Sequence, residues 1–181
     1  MKTLIIHPKD SSTSFLDIVY NPIPNKTVIT GGVSKRQLYR LIEKHDRIMM
    51  MGHGSPFGLF SVGQFKSVYL YIIDHTFVPL LKTKKDNVFI WCNADRFVEQ
   101  YQLNGFYSGM FISEVGEAFY CGLPGTTQDI VDESNFGFCE ILSKHINENT
   151  EVIHEKVKNE YNLIAESNPV ALYNVKRLYL K

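Results

Sequence analysis

Two apolar runs in this chain end in side chains that can do chemistry: Ile48-Met49-Met50-Met51 leads into Gly52-His53-Gly54-Ser55, and Val88-Phe89-Ile90-Trp91 leads directly into Cys92-Asn93-Ala94-Asp95. A free thiol has a pKa of about 8.5, so it attacks slowly at neutral pH unless an imidazole stabilises its thiolate or removes its proton as attack proceeds. The same imidazole can later protonate a leaving amine. Glycines on both sides of His53 let the backbone approach a substrate closely, and the amide N–H groups of Gly54 and Cys92 are candidates to stabilise a developing oxyanion. Cys92 and His53 are therefore the candidate catalytic pair, with Gly54 and Cys92 as the candidate oxyanion donors.

In an open parallel sheet, ligands bind beyond the carboxyl ends of the strands, so other residues that follow a strand become candidates to touch substrate. Lys9 and Asp10 follow the first apolar run, Asn93 and Asp95 follow the cysteine, and Ser113, Glu114 and Glu117 follow a later run at Phe106–Ile112. Helix capping accounts for Asp95 and Glu114 equally well. Cys121 and Cys139 sit among Phe119, Tyr120, Phe138 and Ile141, which points to core packing. His45, His75, His145 and His154 fall near helix ends or on polar faces, whereas His7 ends the first strand, where it could face the same edge as the candidate site. No Cys or His spacing marks a metal site, and no GxGxxG or GxxxxGK loop marks a nucleotide site, so no cofactor is expected.

The elements that must position these groups read as an α/β pattern. Apolar, β-rich runs at Thr3–Ile6, Thr27–Thr30, Ile48–Met51 and Val88–Trp91 are short enough to be buried strands. Between them lies a helix over Ser34–Lys44, opened by a Ser34/Gln37 capping box, with Leu38, Leu41 and Ile42 on one face. Strand, helix, strand implies a parallel pair joined by a crossover. Gly58–Ile73 reads as a hairpin or two short strands, including Val68–Ile73, and Asp74 caps a short helix limited by Pro79. Arg96–Leu103 reads as a helix, Phe106–Ile112 as a strand and Glu114–Tyr120 as a helix start. The last third reads as mainly helical, with stripes at Ile130, Ser134, Phe138, Ile141 and Leu142 and at Ile153, Val157, Tyr161 and Ile164. Its final segment opens on Asn168-Pro169 as a cap and first helical residue. The expectation is one domain over 1–181, a three-layer α/β/α unit on a mostly parallel sheet.

The string Leu38, Leu41, Asp46, then Ile48-Met49-Met50-Met51-Gly52-His53-Gly54-Ser55, then a strand ending in Cys92, resembles the caspase, clostripain, legumain and gingipain group of cysteine peptidases. The resemblance covers roughly the first two-thirds of the chain and implies a caspase-like fold. It implies the catalytic roles for His53 and Cys92, an oxyanion donor at Gly54, and a peptide or protein substrate cleaved through an acyl-enzyme. The context Ile90-Trp91-Cys92-Asn93-Ala94 carries neither the acidic residue two places before the cysteine found in many members nor the caspase string Gln-Ala-Cys-Arg-Gly. That departure leaves the preferred P1 residue open and sets up a rival expectation, a catalytically inactive caspase-like binding or regulatory module.

Bulk properties narrow the partners. Lys plus Arg and Asp plus Glu each total 19, so no sequence-wide basic field exists to hold a nucleic acid or an anionic membrane. The cluster Lys82, Lys84, Lys85 reads as a solvated helix end. Three cysteines without paired spacing point to a reducing compartment, and neither a signal-type apolar stretch nor a membrane-length run is present, so a cytoplasmic protein is expected. The sequence does not determine the oligomeric state.

Overall fold

The structure, a computed structural model, describes residues 1–65 and 70–181. It is built on a six-stranded sheet in the order β2-β1-β3-β7-β8-β9. These strands are β1 (Thr3–Ile6), β2 (Lys26–Ile29), β3 (Arg47–Met51), β7 (Val88–Ile90), β8 (Phe106–Ser108) and β9 (Leu178–Leu180). All neighbours pair in parallel except β8 and β9, which are antiparallel. A second sheet of three short antiparallel strands, β4 (Gly54–Ser55), β5 (Gly58–Phe60) and β6 (Tyr71–Ile73), follows β3. The expected strand Val68–Ile73 begins on positions outside the described residues, and its described part is β6.

Three of the runs read as buried strands, those that form β1, β3 and β7, are buried on both faces, which is why they are continuously apolar rather than alternating; the fourth, Thr27–Thr30, falls on β2 at the sheet edge and is only partly buried, with Val28 36% exposed. Ile5, Met49, Met51, Val88 and Ile90 face one core, filled by α1 (Asp17–Tyr20), α6 (Gln128–His145), α7 (Thr150–Ala165) and α8 (Pro169–Val175). Leu4, Ile6, Ile48, Met50 and Phe89 face the other, covered by α2 (Lys35–Glu43), α3 (Val78–Leu81) and α4 (Ala94–Tyr101) together with the small sheet. The remaining helix, α5 (Val115–Tyr120), follows β8. The result is the expected three-layer α/β/α arrangement on a mostly parallel sheet. The Ser34/Gln37 capping box opens α2, and Lys84 donates from Nζ to the carbonyls of Glu43 and His45 beyond its end, so this lysine holds a helix terminus rather than standing in solvent. Among the described residues no helix is long and apolar enough to cross a membrane.

Three local expectations change. β2 and β3 are parallel but do not pair with each other, because β1 lies between them. The strand expected at Phe106–Ile112 stops at Ser108, where Gly109 N–H turns to donate to Arg177 O. The mainly helical last third ends in a strand, β9, whose three residues pair with β8 at the sheet edge.

Candidate functional site

The order of the strands creates the site. From β1 the chain runs to β2 on one side, and from β3 it runs to β7 on the other, so the connections diverge between β1 and β3. Such a switch point opens a crevice at the carboxyl ends of the two strands. The loop after β1 carries Lys9, Asp10 and Ser12, and the turn after β3 carries His53. Register brings in the third segment: Met51 pairs with Ile90 across β3 and β7, so His53 and Cys92 each stand two residues beyond a matched pair. Both line one small cavity of about 30 Å³, with Thr13, Phe15, Trp91 and Ser113 among its other walls.

The two turns interlock. Trp91 donates from Nε1 to Ser55 O at 3.1 Å, and its ring lies so close to Gly54 that a Cβ there would stand 2.2 Å from Trp91 Cδ1. Phe89, Trp91, Phe97 and Tyr101 form a chain of edge-to-face rings at 5.7, 5.7 and 5.0 Å, each contact adding about 0.5–1.5 kcal/mol beyond area burial. Directly after Cys92, Asn93 takes a left-handed conformation (φ 65°), one that Asn tolerates better than most residues, and α4 starts at Ala94. Ser108 Oγ donates to Trp91 O at 3.1 Å and Asn93 N–H donates to Gly109 O at 3.1 Å, so β8 fixes the same turn.

His53 is oriented by the loop after β1. Its Nε2 lies 2.7 Å from Ser12 Oγ and 3.2 Å from Asp10 Oδ2. Ser12 donates its own hydroxyl hydrogen to Asp10 Oδ1 at 2.9 Å, so the serine oxygen accepts from the ring and the Nε2 proton is shared between Ser12 and Asp10. Burial pulls the Asp10 carboxyl up, but hydrogen bonds from Ser12 and Thr13 and the neighbouring His53 ring outweigh it and hold it below the usual carboxylate range. An anionic Asp10 keeps the proton on Nε2 and leaves Nδ1 as the basic nitrogen.

Cys92 is held differently. Its thiol donates to Phe111 O at 3.4 Å and to Glu117 Oε1 at 3.7 Å. Desolvation first, and the Glu117 carboxylate second, push its pKa up to about 12, so the group is a thiol at neutral pH. The two candidate catalytic side chains thus share a cavity while their hydrogen bonds point away from one another, His53 to Asp10 and Ser12, Cys92 to Glu117 and Phe111. A Glu117→Gln variant is expected to lower the thiol pKa and raise the rate of Cys92 alkylation at pH 8.5 several-fold, up to about tenfold. An unchanged rate would leave desolvation as the whole cause.

The other sequence-derived candidates separate. Ser113 reaches the cavity wall, with its N–H and Oγ both donating to Glu117 Oε2 at 2.8 and 3.1 Å. Glu114 lines a larger neighbouring cavity. Lys9 is paired with Asp17 at 2.5 Å. Asp95 sits in the first turn of α4 with Oδ1 buried and without a hydrogen-bond partner among the described residues. Gly54 lies in β4, opposite Leu59. Ser12, the nearest partner of His53, was not singled out from the sequence. A legible signal existed in Asp10-Ser11-Ser12-Thr13, since Asp followed by Ser and Thr two and three places on forms an Asx turn, and here Asp10 Oδ1 accepts from both Ser12 N–H and Thr13 N–H at 3.1 Å. Among the described residues no group of three or more His, Cys, Asp or Glu is arranged to hold a metal ion.

Fold and site together define a mostly parallel three-layer α/β protein with a thiol and an imidazole at its switch-point edge. Comparison with known protein families, with curated proteins and with solved structures yields no match.

Proposed function

We propose that this chain is a caspase-like cysteine hydrolase that cleaves peptide bonds through Cys92 and His53. The observation that carries the reading is that these residues, far apart in sequence, stand at the same level beyond adjacent strands and line one cavity. Cys92 Sγ attacks the substrate carbonyl while its proton passes to His53 Nδ1, so the thiol need not be ionised beforehand. Backbone N–H groups of Gly54 and Cys92 receive the oxyanion, and His53 returns the proton to the leaving amine. Water, giving its proton to His53, then attacks the thioester; the C–S bond breaks, the Cys92 sulfur takes the proton back from His53, and the carboxylic acid product leaves. Asp10 and Ser12 fix the ring in the tautomer that these steps need. The chemistry uses no cofactor. The three cysteines are free, which supports a reducing, cytoplasmic setting.

A second reading, a catalytically inactive caspase-like binding or regulatory module, is favoured by the thiol pKa of about 12 and by the bond from Cys92 to Glu117 rather than to His53. An electrophilic peptide probe separates the two. Hydrolase action requires a mass adduct that maps to Cys92, vanishes in Cys92→Ala and forms at least about tenfold more slowly in His53→Ala. An adduct that persists in Cys92→Ala would assign the reactive thiol elsewhere, and an unlabelled wild-type protein would favour the module.

A further inference from the structure

The stretch that follows β8 carries no helix or strand from Phe111 to Ser113, yet Phe111 and Ile112 are buried, so its backbone groups need partners brought from elsewhere. Ile112 finds both of its partners in one side chain. Its N–H donates to Asn174 Oδ1 at 2.8 Å and its carbonyl accepts from Asn174 Nδ2 at 2.9 Å, so the amide acts as the neighbouring strand that this segment lacks. One residue on, Ser113 O accepts from Asn135 Nδ2 at 2.9 Å. Asn174 lies on α8, 62 positions from Ile112, and has no exposed surface; Asn135, on α6, is also buried. The Asn174 amide is held in turn: its Nδ2 also donates to Ser134 Oγ at 3.4 Å, and Ser134 Oγ lies 2.6 Å from Tyr161 Oη on α7.

Both hydrogen-bond acceptors of the Cys92 thiol hang on this segment. One is Phe111 O itself; the other, Glu117 Oε1, belongs to a carboxylate whose second oxygen is fixed by Ser113 N–H and Oγ. Phe111 and Ser113 also wall the cavity that Cys92 shares with His53. We infer that Asn174 is a positioning residue: by gripping the N–H and the C=O of Ile112 it holds Phe111 and Ser113 against Cys92, and so fixes the sulfur relative to the cavity wall. The hydrogen bonds of Asn174 go to neither Cys92 nor His53, so its effect travels through the segment. An amide suits the task because it sets one acceptor beside one donor, the complement of a residue's N–H and C=O, whereas a carboxylate offers no donor. For what the sulfur does the inference rests on the hydrolase reading; for where the sulfur is held it does not.

The test compares Asn174→Ala with Tyr161→Phe, which trims the same buried network at a place that does not touch Ile112. Alkylation by iodoacetamide, mapped to Cys92 by mass, and peptide hydrolysis are measured in both variants and in the wild type, well below their thermal midpoints. Loss of the amide is expected to free the wall and let water reach the sulfur, so that alkylation rises at least about threefold, while kcat/KM for peptide hydrolysis falls at least about tenfold. Tyr161→Phe should lower the thermal midpoint and leave both rates unchanged, which a loss of stability shared by the two variants does not explain. Faster alkylation in Asn174→Ala alone, with no hydrolysis by any of the three proteins, would keep the positioning role and remove the hydrolase reading. Where the wild type hydrolyses peptide, either rate unmoved in Asn174→Ala, or both moved alike in the two variants, would overturn the role and leave the hydrolase. No hydrolysis together with unmoved alkylation would overturn both. If Asn174→Ala does not fold, hydrogen exchange in the wild type decides: the Ile112 amide should exchange as slowly as the amides of β3, and exchange at least about a hundredfold faster would overturn the role.

Discussion

Under the proposed hydrolase reading, an Asp10→Asn variant is expected to keep its fold yet lose about 10²- to 10⁴-fold in peptide hydrolysis, the range associated with loss of a positioned acid–base group. The reason lies in how the two carboxylate oxygens are used. Oδ1 accepts from Ser12 N–H and Oγ–H and from Thr13 N–H and Oγ1–H at 2.9–3.1 Å, while Oδ2 faces His53 Nε2. In the amide, the four donors around Oδ1 hold the oxygen where it is, so the NH₂ must take the place of Oδ2. It then presents hydrogens to Nε2, which moves the imidazole proton to Nδ1 and removes the base that would receive the Cys92 proton. Steady-state kinetics measure the loss, and ¹⁵N chemical shifts of the His53 ring report the tautomer. Loss of activity with the tautomer unchanged would show that Asp10 acts in another way. An Asp10→Ser change, too short to reach the ring, should cost less than the amide if tautomer control is the cause.

How far such a site could be read beforehand depended on the distance over which each contact acts. Strands buried on both faces leave continuous apolar runs, so β1, β3 and β7 were legible, and with them the places of His53 and Cys92. The Leu178–Leu180 strand was not, because three residues at a sheet edge carry too little pattern to stand out beside the helix before them, and only pairing with β8 makes them a strand. Asp10 was placed near the cleft as a substrate contact, since residues after a strand rim such a crevice. Its bond to His53 spans 43 positions and exists because β1 and β3 are neighbours, a fact of strand order that local pattern does not contain. Glu117 is the mirror case: a short reach from Ser113 along one helix start is local, but its contact with Cys92 needs β7 and β8 side by side.

Acid should weaken the fold through His7. This residue directly follows β1, is fully buried, and has its Nδ1 3.2 Å from Tyr20 Oη and 3.4 Å from Asp17 Oδ1. Desolvation lowers its pKa from 6.5 to about 4, outweighing the attraction of Asp17 and Asp10, while nearby Lys9 adds to the lowering. The folded state therefore resists a proton that the unfolded chain accepts. Above pH 6.5 His7 is neutral in both states and costs nothing; as pH falls from 6.5 towards 4 only the unfolded chain gains the proton, and stability drops by up to about 3 kcal/mol. Asp10, Asp17 and Asp74 are held low by their partners, so their contribution is lost only as pH falls below the ordinary carboxylate range, mostly beneath this window. Urea unfolding at pH 7 and 4.5 measures the slope, and a His7→Phe variant, which keeps a ring but cannot titrate, should flatten it; parallel curves for the two proteins would refute the assignment. The effect reaches the site because Gly52, beside His53, packs on this corner: a Cβ there would lie 3.7 Å from His7 Cδ2 and 3.4 Å from Pro8 O. Under the proposed hydrolase reading, a strained charge at His7 would disturb the corner on which Gly52 and His53 stand, so any peptide hydrolysis should fall at acid pH ahead of global unfolding.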